Sequence, residues 1–361
     1  MTLHILEPTL INDSGHCYTV ARALIDVAVV SEPVTPIHLW AGRQAEARLI
    51  DLPTVQLTPC FSRKLRRIQL HFLLRRLLRA GESVFVLTAS RAELFSYAMI
   101  PKALRQRGNA VFYVHQMRMD AKRLRRLQWI ARRAPEMRIL TTTEALAQSI
   151  SQAGFAQVRC QPYPLALPEA LPATPPFRHL LFPGMARMDK NLALVAEVIG
   201  RMHQRGCTIP VHLQAAPNHH GEFAPDVAAL LQKIRHIGYP HLTMPEQAVD
   251  GAAYLDQFRG AICLQPFHRD QYADKVSGIT LDALGQACPV VVRSRIWAAT
   301  MVTRYDAGAV VDGDDANIWL DAIIAVIADY PRYQANCCQA YAELRQQHDP
   351  ARLFAAIMDT V

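Results

Sequence analysis

AICLQPFHRDQYADKVSGITLDALGQACPVVV, residues Ala261 to Val292, decides the fold. Ala261 to Gln265, apolar through Leu264, reads as a buried strand, and Pro289 to Val292 as another. The residues between them open polar. They turn helical at Ser277-Gly278, where a hydroxyl cap precedes a short apolar period. A strand–loop–helix–strand unit of this kind predicts parallel strands joined by a crossover helix. Asp274 falls in the loop, and Asp282 falls about one turn into the helix. The helix start at Ser277 and Gly278 offers free backbone N–H groups, a ready site for phosphate. Taken alone, the segment also fits an ordinary structural unit with surface aspartates.

The same alternation extends in both directions. His4 to Glu7, Thr35 to Leu39, Val84 to Thr88, Ala110 to His115 and Ile139 to Thr142 read as strands, with a helix from Gly15 to about Ala28. Further on, His179 to Phe182, Val211 to Gln214, Leu242 to Met244, Val290 to Val292 and Ala309 to Val311 read likewise. Between the two sets lies CQPYPLALPEALPATPP, Cys160 to Pro176, whose six prolines and lack of helical period predict a linker. The chain of 361 residues is therefore read as α/β, with two doubly wound parallel-sheet, Rossmann-like domains facing a cleft. The expected boundaries are 1–160, a linker at 161–177, a second domain at 178–335, and a C-terminal helix at 336–361 returning to the first domain. That helix is part of a helical stretch over about Tyr330 to Met358.

Two further segments carry candidate chemistry. In LLFPGMARMDKN, Leu180 to Asn191, a strand runs into Gly184, and Arg187 and Lys190 follow near a helix start. Two cations there suit a diphosphate on which charge develops; the bland reading is a solvated helix opening at Asp189-Lys190. Near the N-terminus, Asn12-Asp13-Ser14-Gly15-His16 follows the first strand, and Gly15 at a helix start permits close backbone approach to a ligand. The alternative is a turn with Asp13 as a helix cap. His115 ends the strand VFYVHQ, a position that also fits a core histidine satisfied by backbone.

These segments, in this order, resemble GT-B glycosyltransferases, especially the large retaining family 4 of bacterial glycosyltransferases. In that family two acidic residues separated by seven positions flank a Gly-containing helix start. Here the acids are Asp274 and Asp282 where the family usually has glutamates, and Ser277 stands where it usually has Gly. Met185 occupies the usual Arg position after the strand Gly, while Lys190 keeps the spacing. The resemblance implies transfer of a sugar from a nucleotide-diphosphate donor to a saccharide or lipid-linked saccharide acceptor, in envelope or exopolysaccharide synthesis. It implies retention of configuration and no bound metal or cofactor. Lys190, Arg187 and the Ser277-Gly278 helix start, together with Gly15 and Gly184, would bind the donor. Asp274 would position sugar hydroxyls, Asp282 the ribose, and His115 the transferring sugar. A sugar-nucleotide epimerase on the same fold and a non-catalytic binder of anionic surfaces remain as alternatives.

Charge is unevenly spread. Residues 1–170 carry 23 Lys/Arg against 12 Asp/Glu, a surplus of +11; residues 171–361 carry 16 against 19, a balance of −3. In KRLRRLQWIARR, Leu124, Leu127, Ile130 and Ala131 share one helical face. Lys122, Arg125, Arg126, Arg132 and Arg133 lie opposite, with Trp129 on the basic side. This predicts either a solvated helix or contact with an anionic membrane surface. RKLRRIQLHFLLRRLLR, Arg63 to Arg79, is basic and apolar without separated faces. No run approaches the ~18 apolar residues of a membrane span. The opening MTLHILEPTLIND lacks a basic region and cleavage site, so a cytoplasmic location is expected, with peripheral contact at the inner face of the cell membrane. The eight scattered cysteines predict reduced, buried thiols. No nucleic-acid signature and no metal-ligand spacing is visible, His219-His220 included.

Overall fold

The structure, a computed structural model, is described for all residues except 1, 14, 47, 48, 118, 166, 172, 218–221, 248, 250, 360 and 361. Ser14, His219 and His220, named above, thus lie outside the described residues. The chain divides into two units: Met1–Ala166 with Gln347–Val361, and Leu167–Gln346. The division falls inside the proline-rich segment.

Unit one is a seven-stranded parallel sheet ordered β3-β2-β1-β4-β5-β6-β7. The strands are β1 Leu3–Glu7, β2 Ile37–Gly42, β3 Val55–Phe61, β4 Ser83–Val86, β5 Asn109–Val114, β6 Arg138–Thr141 and β7 Gln157–Cys160. Helices α1 His16–Val30, α2 Arg66–Ala80, α3 Arg91–Met99, α4 Lys102–Arg105, α5 Ala121–Arg133 and α6 Glu144–Gln152 form the crossovers. One core, between the sheet and α2, α3, α5 and α6, holds Leu74, Leu94, Phe112, Leu127 and Ile150. The opposite core, beneath α1, holds Leu24, Phe85 and Tyr113. Apolar cores on both sides of the sheet explain why β1, β4 and β5 are buried along nearly their whole length.

Unit two is a six-stranded parallel sheet ordered β10-β9-β8-β11-β12-β13. It contains β8 His179–Phe182, β9 Val211–Leu213, β10 Leu242–Thr243, β11 Ala261–Gln265, β12 Val290–Arg293 and β13 Gly308–Val311. β11 is paired on one side with β8 (Cys263 opposite Leu181) and on the other with β12 (Cys263 opposite Val290). Its helices are α7 Leu192–Gln204, α8 Pro225–His236, α9 Gly251–Asp256, α10 Arg269–Tyr272, α11 Gly278–Gly285, α12 Trp297–Tyr305, α13 Ala316–Ala328 and α14 Tyr330–Gln347.

Five readings of the sequence need correction. β3 and β7 are additional strands. Both lie at sheet edges; β3 contains Pro59 and is largely half-exposed, and β7 alternates exposed with half-buried residues, so neither shows an apolar run. The terminal helical stretch is two helices, because Asp349 caps a new one, α15 Pro350–Met358, with Pro350 in its first turn. α15 packs its Leu353 and Ile357 into the α1-side core of unit one, while α14 belongs to unit two, so the change of unit comes at Gln347 rather than 336. The loop after β11 contains the short helix α10. Of the eight cysteines, all free, only Cys263, Cys288 and Cys337 are fully buried. Among the described residues no helix is long and apolar enough to cross a membrane.

Candidate functional site

In unit two the chain leaves β8 toward β9 and β10, then returns to place β11 on the other side of β8. The loops after β8 and β11 therefore diverge at the carboxyl edge of the sheet, where such sheets bind ligands. Three strand-end side chains hold these loops. Gln214, just past β9, accepts a hydrogen bond from the Gly184 N–H at 2.6 Å. Gln265, ending β11, accepts from the Thr280 hydroxyl of α11 at 2.7 Å. Arg293, ending β12 and buried, donates from Nε to the Pro266 carbonyl at 3.0 Å. The two loops are also joined to each other: the His268 N–H donates to the Asp189 carbonyl (3.0 Å), and the Tyr272 hydroxyl to Asp189 Oδ2 (3.3 Å).

Lys190 is the functional group these loops enclose. It ends a single 3₁₀ turn, Met188–Lys190, and is only 6% exposed. It does not begin a solvated helix. Its Nζ donates to the Pro183 carbonyl at 3.0 Å. Burial and then the nearby Arg187 depress its pKa to about 8, against the opposing pull of Asp189. Gly184 has φ 78°, and a Cβ there would stand 3.3 Å from Lys190 Nζ, so a side chain would be both strained and crowded against the amine. Arg187 is nearly half exposed and forms a two-point pair with Asp189, with Nε to Oδ1 at 2.8 Å.

The phosphate-type helix start forms as the sequence predicts. Ser277 caps α11, accepting from the Thr280 N–H at 3.2 Å, and Gly278 is exposed with no atom within 4 Å of a would-be Cβ. Asp274 lies exposed in the turn after α10. Asp282 lies in α11, where burial lifts its carboxyl to about 7, partly offset by the Tyr254 hydroxyl donating at 3.2 Å. Two residues escaped the sequence reading. Lys275 sits over the Tyr272 ring at 4.8 Å, and its pKa is lowered by burial and by Arg187. Tyr254 holds Asp282. Lys275 is adjacent to Asp274 in sequence and could have been noticed; nothing in the chain marks Tyr254.

In unit one the corresponding divergence lies between β1 and β4. Gly15, at φ 83°, is the N-cap of α1, with open space at its Cβ position and no side-chain cap. Asp13 is not the cap. His115 follows β5. Its Nε2 is 2.9 Å from the Leu87 carbonyl, which only accepts, so Nε2 carries the proton and Nδ1 is left an acceptor. The ring lies edge-on to Tyr113 at 4.5 Å and 5.7 Å from His16. Burial, then His16, lowers its pKa to about 3, so it is neutral at physiological pH. Glu7, ending β1, was also missed. It is fully buried, accepts from the Thr9 N–H at 3.0 Å and from the hydroxyls of Thr9 and Thr88, and burial raises its pKa. It ties the loop after β1 to the loop after β4. Among the described residues no group of three His, Cys, Asp or Glu side chains is placed to hold a metal ion.

The predicted surface helix α5 buries Leu127, Ile130 and Ala131, and leaves Arg125, Arg126, Trp129, Arg132 and Arg133 exposed. Arg133 donates from Nε to the Ala98 carbonyl at 2.9 Å and stands over the Trp129 ring.

The architecture is that of the GT-B glycosyltransferases. The chain superposes over its full length on several solved members. One is Alr3699/HepE of Anabaena in complex with UDP, with 13% identity, 100% of this chain and 99% of that one covered, and a TM-score of 0.74. A glycosyltransferase from Rickettsia africae ESF-5 gives 10% identity, 100% and 99% coverage and a TM-score of 0.72. The lipopolysaccharide outer core galactosyltransferase WaaB in its apo form gives 11% identity, full coverage of both chains and 0.68. At such identities the likeness is one of fold. Comparison of the sequence with family models and with curated proteins finds no match.

Proposed function

We propose that the chain is a hexosyltransferase that moves a sugar from a nucleoside-diphosphate donor to a saccharide or lipid-linked saccharide acceptor, with retention and without a metal. One observation carries this reading. At the switch point of unit two, a buried lysine stands beside a left-handed glycine, and an open, serine-capped helix start follows on the neighbouring loop. Two of the fold neighbours support it: Alr3699/HepE was solved with UDP and with UDP-glucose, and WaaB is a galactosyltransferase.

On this reading the diphosphate lies between Lys190, Lys275 and the N–H groups at Ser277-Gly278, with Arg187 at its edge. As the bond from the sugar's anomeric carbon to the phosphate oxygen breaks, its electron pair goes to that oxygen. The acceptor hydroxyl then bonds to the same face of the carbon and gives its proton to the departing phosphate. The cations stabilise the charge that develops. Asp282 takes the ribose and Asp274 the sugar hydroxyls. His115, neutral with Nδ1 as acceptor, takes a hydroxyl of the transferring sugar. Envelope or exopolysaccharide synthesis is the setting that suits a lipid-linked acceptor.

Nucleotide sugars should be screened first by thermal shift, since a bound donor stabilises by ~2.7 kcal/mol at a hundredfold excess over Kd. With the donor found, nucleoside diphosphate should be released at an appreciable rate only when a saccharide acceptor is present. Conversion of the donor to an epimer with no acceptor would replace transfer by the epimerase reading. A chain that binds no nucleotide sugar would overturn both.

A further inference from the structure

The loop between β13 and α13, Asp312-Gly313-Asp314-Asp315, is anchored at its own end. Asp315 caps α13, accepting from the Asn317 N–H at 2.8 Å, and the buried Trp319 donates from Nε1 to the Gly313 carbonyl at 3.1 Å. The other two carboxylates each take an arginine that serves the donor loops. Asp312 pairs with Arg269 of α10, which also donates from Nε to the Ser294 carbonyl at 3.1 Å. Asp314 pairs with Arg293, the guanidinium that holds the Pro266 carbonyl where the loop after β11 begins. Arg293 is 4% exposed, and a guanidinium so buried needs a carboxylate beside it. Among the described residues Asp314 is the carboxylate it has.

The same Asp314 Oδ1 also accepts from Asn191 Nδ2, at 3.0 Å. Asn191 is buried, follows Lys190 directly, and caps α7 from the left-handed region at φ 58°. A residue other than glycine keeps that conformation where its surroundings hold it. Here Asn191 Oδ1 accepts from the Leu194 N–H at 3.4 Å, and Nδ2 makes the bond to Asp314. One carboxylate thus joins the turn that carries Lys190 to the loop that carries Lys275 and Ser277-Gly278. The Arg293 guanidinium holds the Asp314 carboxyl below its ordinary range, so it is charged at neutral pH. We propose that Asp314 is a positioning residue of the donor site, setting the distance between Lys190 and the Ser277-Gly278 helix start through Asn191 and Arg293. It acts on those two side chains and not on the donor. That the braced loops hold a donor rests on the function proposed above; the brace itself does not.

The Lys190 amine reports the brace in the free protein. Burial, Arg187, Asp189, Cys263 and Lys275 set its pKa, and Asp314 is not among them. A change on altering Asp314 therefore reads a moved loop rather than a lost charge. Competitive acetylation across the alkaline range, with Lys190 followed by peptide mass spectrometry, measures it. Parent reactivity should rise through about pH 8; in Asp314→Ala the amine gains water, and the midpoint should move toward 10.5. Nucleoside-diphosphate affinity should fall at least about tenfold and kcat/KM up to about a hundredfold, the effect of a ~1 Å displacement. Asp314→Asn keeps an oxygen for Asn191 and Arg293 and should recover most of the loss. Asn191→Gly tolerates the left-handed turn and leaves Arg293 paired, so it carries the same test should the alanine variant not fold. It should move the Lys190 midpoint in the same direction, and the double variant should be no worse than Asp314→Ala. A Lys190 midpoint unchanged in folded Asp314→Ala or Asn191→Gly would overturn the positioning role, as would full additivity of the two. The donor reading fails by a different result, nucleotide affinity retained in Lys190→Met, and the acetylation midpoint would still decide the brace.

Discussion

Lys190→Ala should abolish transfer and weaken nucleoside-diphosphate binding roughly ten- to hundredfold. That is the ~1.5–3 kcal/mol of a hydrogen bond to a charged group. The amine is buried and held by the Pro183 carbonyl, in space that only a glycine at 184 leaves open, so its position is fixed before any ligand arrives. The pH dependence follows from its pKa of about 8, against 10.5 for a free lysine. A bound diphosphate favours the charged amine. Affinity should therefore be full below pH 8 and should fall above it, as binding comes to require proton uptake. Stability should move the other way. The unfolded chain holds this proton up to about 10.5 and the folded chain only to about 8, so stability rises with pH across that window. Lys190→Met keeps the volume and removes a buried charge, so it should lose the nucleotide without losing the fold. Isothermal titration across pH 6.5 to 9 reads both effects; nucleotide affinity unchanged in the folded Met variant would remove Lys190 from the site.

How much of this was legible depended on whether a feature is local. Ala261–Leu264 and Leu180–Phe182 are four- and three-residue apolar runs buried on both faces, and the strands containing them form at the predicted residues. Ser277 caps α11 because its hydroxyl needs only its own next turn. The edge strands β3 and β7 gave no apolar run because half their residues never meet a core. The site residues divide in the same way. Gly184, Lys190 and Ser277-Gly278 were readable as spacings. Glu7 was not, because its partners Thr9 and Thr88 meet only when β1 and β4 become neighbours. Tyr254 is likewise placed against Asp282 from a helix twenty-eight residues earlier. The buried face of α2 was hidden by its own composition: arginines and leucines at every turn defeat a two-face reading, and only burial shows which leucines the sheet takes.

Asp282→Ala and Asp274→Ala should fail differently, because one acid is desolvated in α11 and the other is exposed in the preceding turn. If Asp282 holds the ribose, its loss weakens binding of the bare nucleoside diphosphate and of the sugar donor alike, about tenfold or more. If Asp274 holds only the sugar, its loss leaves nucleoside-diphosphate affinity near the parent value and lowers kcat with the full donor. Asp282 also has a signature independent of activity. Burial raises its pKa from 3.8 to about 7, so between those values the folded chain holds a proton that the unfolded chain has lost. Stability therefore declines as pH rises from about 4 to 7. Asp282→Asn keeps an oxygen for the Tyr254 hydroxyl and has no proton to lose. The variant should match the parent near pH 4 and exceed it at pH 8 by a few kcal/mol, since each tenfold change in proton affinity is worth ~1.4 kcal/mol. Urea unfolding of both proteins at the two pH values measures the difference. Equal stability at pH 8 would show that Asp282 is not held in a desolvated site, and normal binding and turnover in both alanine variants would show that neither aspartate serves the donor.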